Sequence, residues 1–405
     1  MIVIVQSLDT SLAFEKEAGF FEETRSRYEI FREFGQVVLL TQDSQDFSPK
    51  FAGIVHIPCA FSKSAIIARL LLRSTFTRWF YFFISCLVWL IKNNQGIDLL
   101  VTDNIDSPAA LIISRVFRIP YLIYYRYDVG SQIKWINGRS IIGTIVLAEE
   151  KLAFRRVEKL WVTSPHLARY AEKLGRKKHT TVIQNWIGAP HIFQSKTKEP
   201  PTSTVPLILF VGRLHKVKQV DLLLRAFHIL HQTNPDVQVH IIGDGEEAQR
   251  LKKLTEVLGL SGHVHFLGFV ERETVVEMMR KAAVFVLPSK IEGNPRVLIE
   301  AMMCKVPIVA MNVPGIRDMI QNMKNGYLIN KPDPEELANA IKFVLEHKNF
   351  SSAMAECAYE FAIEDFSKEG ALKKIREDLA FLQSGKHATY REVSQKRPRS
   401  TGHNK

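Results

Sequence analysis

Short apolar runs alternate with longer amphipathic stretches along most of the chain. Ile2–Val5 has strand length and no polar residue, a charged helical stretch from about Glu15 to Phe34 follows and ends at Gly35, and Val37–Leu40 reads as the next strand. Leu99–Thr102 predicts a strand, Pro108–Phe117 a helix, and Tyr121–Tyr125, Leu160–Thr163 and Thr181–Gln184 three further strands. Apolar strands separated by helices predict a parallel sheet covered on both faces.

The pattern lapses between Ala189 and Val205, where APHIFQSKTKEPPTSTV is rich in proline and polar residues and has no period. It then restarts. Strands are predicted at Leu207–Val211, Val239–Ile242, Val264–Leu267, Val284–Leu287 and Ile308–Ala310. Helices are predicted near Val220–Leu230, Glu246–Val257, Val275–Arg280, Val297–Cys304 and Pro334–Glu346. A last helical stretch, Phe366–Leu382, is apolar at Leu372, Ile375, Leu379 and Leu382. The division is therefore an N-terminal domain over 1–190, a linker over 191–205, a second domain over 206–365, a closing helix over 366–383 and a basic tail over 384–405. Trp79–Ile91 is thirteen residues without a charge. A spanning helix needs about 20, so this segment predicts a buried or interfacial helix.

Composition adds little to this picture. An apolar fraction of 46% and a charged fraction of 24% over 405 residues suit two ordinary globular domains. The formal charge is +12, and the tail from Ser384 onward contributes six Lys/Arg against one Glu. A basic body is compatible with anionic lipid, nucleic acid or a phosphorylated small molecule. Cys59, Cys86, Cys304 and Cys357 make no metal-type pair and read as buried thiols of a reducing compartment. Met1–Val5 lacks the positive segment of a signal peptide. There is no Walker loop and no GxSxG elbow. His263 and His265 alternate as on a strand, without a third ligand at metal spacing.

Two constellations carry chemistry. In Phe210-Val211-Gly212-Arg213-Leu214-His215-Lys216-Val217-Lys218 a strand ends in glycine, and Arg213 and Lys218 follow before a helix. Glycine permits close approach of the backbone to a phosphate, a helix N-terminus adds partial positive charge, and guanidinium and ammonium both suit a diphosphate. A basic surface loop would read the same way. In Glu292-Gly293-Asn294-Pro295-Arg296-Val297-Leu298-Ile299-Glu300, Asn294 suits an N-cap and Pro295 a first helical position. Glu292 then precedes the helix and Glu300 lies on it, with eight helical residues spanning about 12 Å. Carboxylates bind sugar hydroxyls because each accepts several hydrogen bonds. Two ordinary helix acids are the alternative.

Taken together, Phe210 to about Asn330 resembles the family 4 glycosyltransferases of the GT-B fold. The resemblance is carried by Gly212-Arg213 with Lys218, by Gly243-Asp244-Gly245, by Leu267-Gly268-Phe269-Val270, by LPSKIEGNPRVLIEAMMCKVPIVA from Leu287 to Ala310, and by Pro314-Gly315 and Asn325-Gly326. It implies two Rossmann-like, doubly wound α/β domains facing across a cleft. It also implies transfer with retention of anomeric configuration from a nucleotide-diphosphate sugar, with no cofactor and no metal required. The donor would lie along Gly212, Arg213, Lys218, Gly243, Val270, Glu292, Gly293, Asn294, Pro295, Val297, Leu298 and Glu300. Arg213 and Lys218 would hold the diphosphate, Glu292 the transferred sugar and Glu300 the ribose. The closing helix would return across the cleft to the N-terminal domain.

The N-terminal half resembles the family at Asp98–Val129 and Thr180–Ile187 and departs from it twice. The loop after the first strand reads Ser7-Leu8-Asp9-Thr10-Ser11, where many relatives have paired glycines. Arg126, followed by Tyr127 and Asp128, stands where many have a histidine. The relatives' Lys-Gly pair is Lys218-Gln219. Ser11, Arg126, Tyr127 and Asp128 are the candidates for the acceptor, with Arg126 and Asp128 near the reaction centre. A sugar-nucleotide epimerase or a non-catalytic nucleotide-sugar-binding protein are the other readings. The expected acceptor is a saccharide or lipid-linked saccharide, not nucleic acid, met in the cytoplasm or at the inner face of the cell membrane. Phe61–Lys92 supports an anionic membrane contact, having Lys63, Arg69, Arg73, Arg78 and Lys92, no acid, two Trp, one Tyr and five Phe.

Overall fold

The computed structural model describes residues 1–5, 21–41, 54–58, 75–103, 108–126, 141–187, 193 and 205–384. The first unit contains β1 (Ile2–Val5), α1 (Phe21–Phe31), β2 (Val37–Thr41), β3 (Ile54–Pro58), α2 (Thr75–Asn93) and β4 (Leu99–Asp103). It continues with α3 (Pro108–Val116), β5 (Tyr121–Tyr125), α4 (Ile141–Arg156), β6 (Lys159–Val162), α5 (Pro165–Lys173) and β7 (Thr180–Val182). Its sheet runs β3-β2-β1-β4-β5-β6-β7, and every pair is parallel.

The second unit begins with β8 (Leu207–Val211), α6 (Val220–His231), β9 (Gln238–Ile242), α7 (Ala248–Val257), β10 (Val264–Gly268) and α8 (Arg272–Lys281). Then come β11 (Val284–Leu287), α9 (Arg296–Met303), β12 (Ile308–Met311), α10 (Pro314–Arg317), β13 (Tyr327–Ile329), α11 (Pro334–Glu346) and α12 (Lys348–Asp365). Its parallel sheet runs β10-β9-β8-β11-β12-β13. Both orders are doubly wound, and each reverses direction once, between β1 and β4 and between β8 and β11.

Period-two burial would not suit such strands, because helices cover both faces; β1, β4, β5 and β6 are buried at every position. One face of the first sheet packs on α2, α3, α4 and α5 through Cys86, Leu90, Ala110, Ile113, Phe154 and Leu167. The other face is covered by α1 and by the last helix, α13 (Lys368–Gln383). Ser367 caps α13 by accepting from Gly370 N, and Ala371, Ile375, Leu379 and Leu382 bury the stripe against Ile2, Ile4 and Trp161. Asp378 accepts from Trp161 Nε1 at 2.6 Å and pairs with Lys159 at 2.6 Å, while Arg376 grips Glu33 with two bonds of 2.8 Å.

Several elements escape the sequence pattern. β3 is defined by pairing with β2, and α12 packs largely through Ala355, Ala358 and Ala362, too small to mark an apolar stripe. The thiols were expected to be buried; Cys86 and Cys304 are, but Cys357 on α12 is exposed. Cys59 lies outside the described residues, as do the linker after Phe193 up to 204 and the tail from Gly385. α2 is a single helix of 19 residues, and no described helix is long and apolar enough to cross a membrane.

Candidate functional site

Ligands of open α/β sheets bind outside the carboxyl ends of strands, where the strand order reverses. In the second sheet the two loops at that place follow β8 and β11. They overlap the two segments singled out by sequence chemistry, 210–218 and 292–300.

The first loop is built by close backbone packing. Gly212 N donates to Ile242 O at 3.0 Å, and Leu214 N donates to Asp244 O at 2.9 Å. A Cβ on Gly243 would fall 2.1 Å from Gly212 O, and one on Gly245 would fall 2.4 Å from Leu214 O. The Gly243-Asp244-Gly245 turn is thus the floor on which the basic loop rests. His215 caps the short 3-10 turn Lys216–Lys218 by accepting from Val217 N at 3.2 Å. Gln219 follows in the left-handed region, φ 48°. That conformation costs a residue with a Cβ about 1–2 kcal/mol, which explains why a glycine stands there in the resembling family.

The second loop meets the first across the crevice. Lys290 N donates to Val217 O at 2.8 Å, and Lys218 Nζ donates to Glu292 Oε1 at 2.6 Å. Glu292 is supported from below: a Cβ on Gly315 would lie 2.1 Å from its carbonyl oxygen. Arg213 is exposed and forms no ion pair among the described residues. α9 starts at Arg296 with no side-chain cap. Its amino end, with the partial positive charge of its dipole, therefore opens at the carboxyl end of the sheet beside Lys218 and Glu292.

Asn294 was expected to cap α9, and it does not; the cap position is Pro295. Asn294 faces the first domain instead. Its Oδ1 accepts from Asn185 N at 3.1 Å, and its carbonyl accepts from Asn185 Nδ2 at 2.6 Å. A second bridge joins the domains where Asp318 accepts from His166 N at 2.6 Å and pairs with Arg169 at 2.9 Å.

Glu300 is 6% exposed, which removes the reading of a solvated helix acid. Its Oε1 accepts from Arg272 Nη2 at 3.1 Å. Arg272 was not anticipated. A signal existed, since an arginine at the first position of a helix opposes the helix dipole and calls for a tertiary reason. Gly293 and Pro295 are buried in the loop, and Val270 and Val297 are half-buried beside it. Leu298 is fully buried in the core, with its N–H bonded to Pro295 O, so its side chain supports the loop from beneath.

The corresponding crevice of the first sheet has another character. Asp103 ends β4 and is almost wholly buried. Arg126, just past β5, approaches it at 3.4 Å, Arg27 of α1 at 3.9 Å, and Tyr28 Oη donates to it at 3.2 Å. The Arg27 guanidinium lies 4.4 Å from the ring centre of Tyr124 and 5.6 Å from that of Trp186. Of the acceptor candidates only Arg126 is placed; Ser11, Tyr127 and Asp128 lie outside the described residues.

His265 faces His240, ring centres 5.1 Å apart, and His231 faces His263 at 4.1 Å. Burial, then the neighbouring imidazole, holds His240 below the usual histidine range. No group of three or more metal-ligating side chains occurs among the described residues.

Comparisons with known proteins agree with the two halves unequally. Residues 192–361 match the family described as glycosyl transferases group 1. The lipopolysaccharide core biosynthesis glycosyltransferase LpsE of Rhizobium meliloti is 27% identical over 217 residues, covering 53% of this chain and 62% of that one. The chain spans between 35% and 62% of the length of three curated relatives it matches. Among solved structures, sucrose-phosphate synthase from Thermosynechococcus elongatus superposes with a TM-score of 0.71 at 19% identity, over 95% of this chain and 99% of that one. Anabaena HepE in complex with UDP and glucose gives 0.68 at 19% identity, over 95% and 99%. These likenesses establish the GT-B fold.

Proposed function

We propose, from the premise that residues 192–361 form a group 1 glycosyltransferase domain within a GT-B fold, that this chain transfers a sugar from a nucleotide-diphosphate sugar to a hydroxyl acceptor. The observation that carries the reading is the Lys218–Glu292 pair across the β8/β11 crevice, beside exposed Arg213 and the uncapped amino end of α9. A cation and a carboxylate side by side suit the point where the diphosphate meets the sugar. Arg213, Lys218 and the α9 amides offset the charge of the leaving diphosphate, the role otherwise taken by a metal ion. Glu292 accepts hydroxyls of the transferred sugar, and Glu300, aligned by Arg272, accepts those of the ribose.

The reaction retains anomeric configuration in this reading, and the leaving phosphate takes the acceptor proton. No side chain is then needed as nucleophile. Arg126, fixed by Asp103, orients the acceptor together with Ser11, Tyr127 and Asp128. The acceptor is a saccharide or a lipid-linked saccharide, which brings the first domain to an anionic membrane surface at the inner face of the cell membrane.

A panel of nucleotide sugars, incubated with candidate acceptors and a chelator, tests the proposal. Nucleotide release with retained anomeric configuration of the product is the expected result. An isomerised donor indicates an epimerase, and binding without turnover indicates a non-catalytic protein. Activity lost in chelator and restored by magnesium or manganese overturns the metal-free mechanism.

A further inference from the structure

At the amino ends of β5 and β6, away from the crevices at the carboxyl ends, lies a cavity of about 260 Å³ lined by Ser114, Arg115, Arg118, Arg156 and Glu158. Arg115 ends α3 and Arg156 ends α4. Arg115 Nη2 donates to Arg156 O at 2.6 Å, so one of its donors closes the last turn of α4. Among the described residues none of the three arginines forms an ion pair with a carboxylate. The one acid in the lining, Glu158, is taken by Lys178 at 2.7 Å. Behind the cavity, Arg176 is buried and donates to the carbonyls of Phe154, Val157, Glu158 and His179. Burial pushes it down to about 10, so it adds a further positive charge at neutral pH.

The helices that end here also expose apolar side chains. α2, α3 and α4 bury their inner faces in one cluster, so their outer faces turn to the same side. Those outer faces carry Ile84, Val88 and Ile91 at helical spacing on α2, Ile112 and Val116 on α3, and Ile145 and Leu152 on α4. Val116 is 66% exposed and Ile145 is 60% exposed. Lys92, Lys151 and Arg155 are exposed among them. Apolar residues scattered singly need no explanation, but aligned stripes on neighbouring helices mark a contact surface.

We infer that the Arg115–Arg118–Arg156 cavity binds the phosphate group of an anionic bilayer lipid while the α2–α4 stripes enter the headgroup region. Three guanidiniums without carboxylate partners match a phosphate, since each offers a planar fork of donors. The stripes fit the shallow interfacial placement of amphipathic helices. A protein partner would meet the apolar stripes equally well, but the uncompensated arginines select a densely anionic surface. The inference deepens the membrane contact of the proposed function and gives it a site outside 61–74, which lie beyond the described residues. Vesicle binding is read separately from sugar transfer, so either can fail alone.

Flotation of the full chain with phosphatidylcholine vesicles, with and without phosphatidylglycerol, tests it. Binding is expected only with phosphatidylglycerol and should weaken with salt. Each of Arg118→Ser and Arg156→Gln should lower partitioning about fivefold, equivalent to about 1 kcal/mol per surface cation. The melting temperature should stay unchanged, because these side chains are exposed. Val116→Ser with Ile112→Ser should also lower vesicle partitioning, without changing its salt dependence. Sodium phosphate should displace the chain no better than sodium chloride of equal ionic strength; preferential displacement would mean a site for free phosphate and overturn the lipid assignment. Equal binding to both vesicle types, full binding by the arginine variants, or a dimer in solution that Val116→Ser dissociates would also overturn it.

Discussion

The two sheets share one topology, and their reversal points are furnished in opposite ways. At β8/β11 the crevice holds a half-buried Lys218–Glu292 pair, an exposed Arg213 and a helix that starts without a side-chain cap. At β1/β4 a buried carboxylate, Asp103, is met by Arg27, Arg126 and Tyr28 and backed by two aromatic rings. In the first case donors and charges are available to a ligand. In the second the carboxylate is enclosed by the protein's own cations and hydroxyl, and Arg126 is held in place by it. A shared fold therefore decides where a crevice is placed, while a few side chains decide which charges it offers.

Removing the acid on each side should separate these roles most sharply. Asp103→Ala removes the buried carboxylate that Arg27 and Arg126 both approach and should destabilise the chain by about 3–5 kcal/mol, read in chemical denaturation. Glu292→Ala should leave stability nearly unchanged, because Lys218 can turn to solvent. Equal losses of stability in the two variants would break the comparison.

Transfer should show the reverse order. Loss of a hydrogen bond to a charged group is worth about 1.5–3 kcal/mol. Lys218→Ala, Arg213→Ala and Glu292→Ala should therefore each lower kcat/KM at least about tenfold. Glu292→Ala should keep its affinity for the nucleoside diphosphate, measured by titration calorimetry. Glu300→Ala should lose it, and Arg272→Ala should resemble Glu300→Ala through misalignment of that carboxylate. If Arg272→Ala binds and transfers like the parent chain, its contact with Glu300 has no functional part.

A smaller effect concerns the strain in the loop after β8. Gln219→Gly should raise the stability by about 1 kcal/mol, because glycine adopts φ 48° without the Cβ clash. A lowered melting temperature would show that the Gln219 side chain contributes more than its backbone costs.

The smallest effect is on pH. His240 is held low by burial and by His265, and His231 is held low by burial and by His263. The unfolded chain then binds protons that the folded one does not, so stability rises with pH in this range and is lost as pH falls below about 6.5. His240→Gln should flatten that dependence in thermal melts. An unchanged slope would place the acid sensitivity elsewhere, with His179 of the first domain, also lowered by burial, the next candidate.

How much was legible in the sequence can be told residue by residue. Apolar runs such as Leu207–Val211 and Val284–Leu287 fixed the strands, since a strand buried on both faces leaves little choice of side chain. Glu292 and Glu300, with seven residues between them, and the loop from Gly212 to Lys218 pointed in the sequence to the β8/β11 crevice. Their reasons were partly hidden. Gly243 and Gly245 read as a turn and prove to be the seat of a neighbouring loop, a contact between residues 31 positions apart.

The chain's own sequence determined the two alternating βα units, the break between them and the charged residues of the loops after β8 and β11. Those features are local, set by periodicity, turn chemistry and residue type. Only the tertiary structure decided that Lys218 reaches Glu292, that Asn294 serves Asn185 rather than its own helix, and that Glu300 is aligned by Arg272. It alone turned Arg126 toward Asp103 and gathered Arg115, Arg118 and Arg156 around one cavity. Such pairings join residues far apart in the chain, and their energies depend on burial and on distances within a few ångströms. A linear pattern carries neither, because the same arginine or asparagine is solvated, capped or buried according to what the fold sets against it.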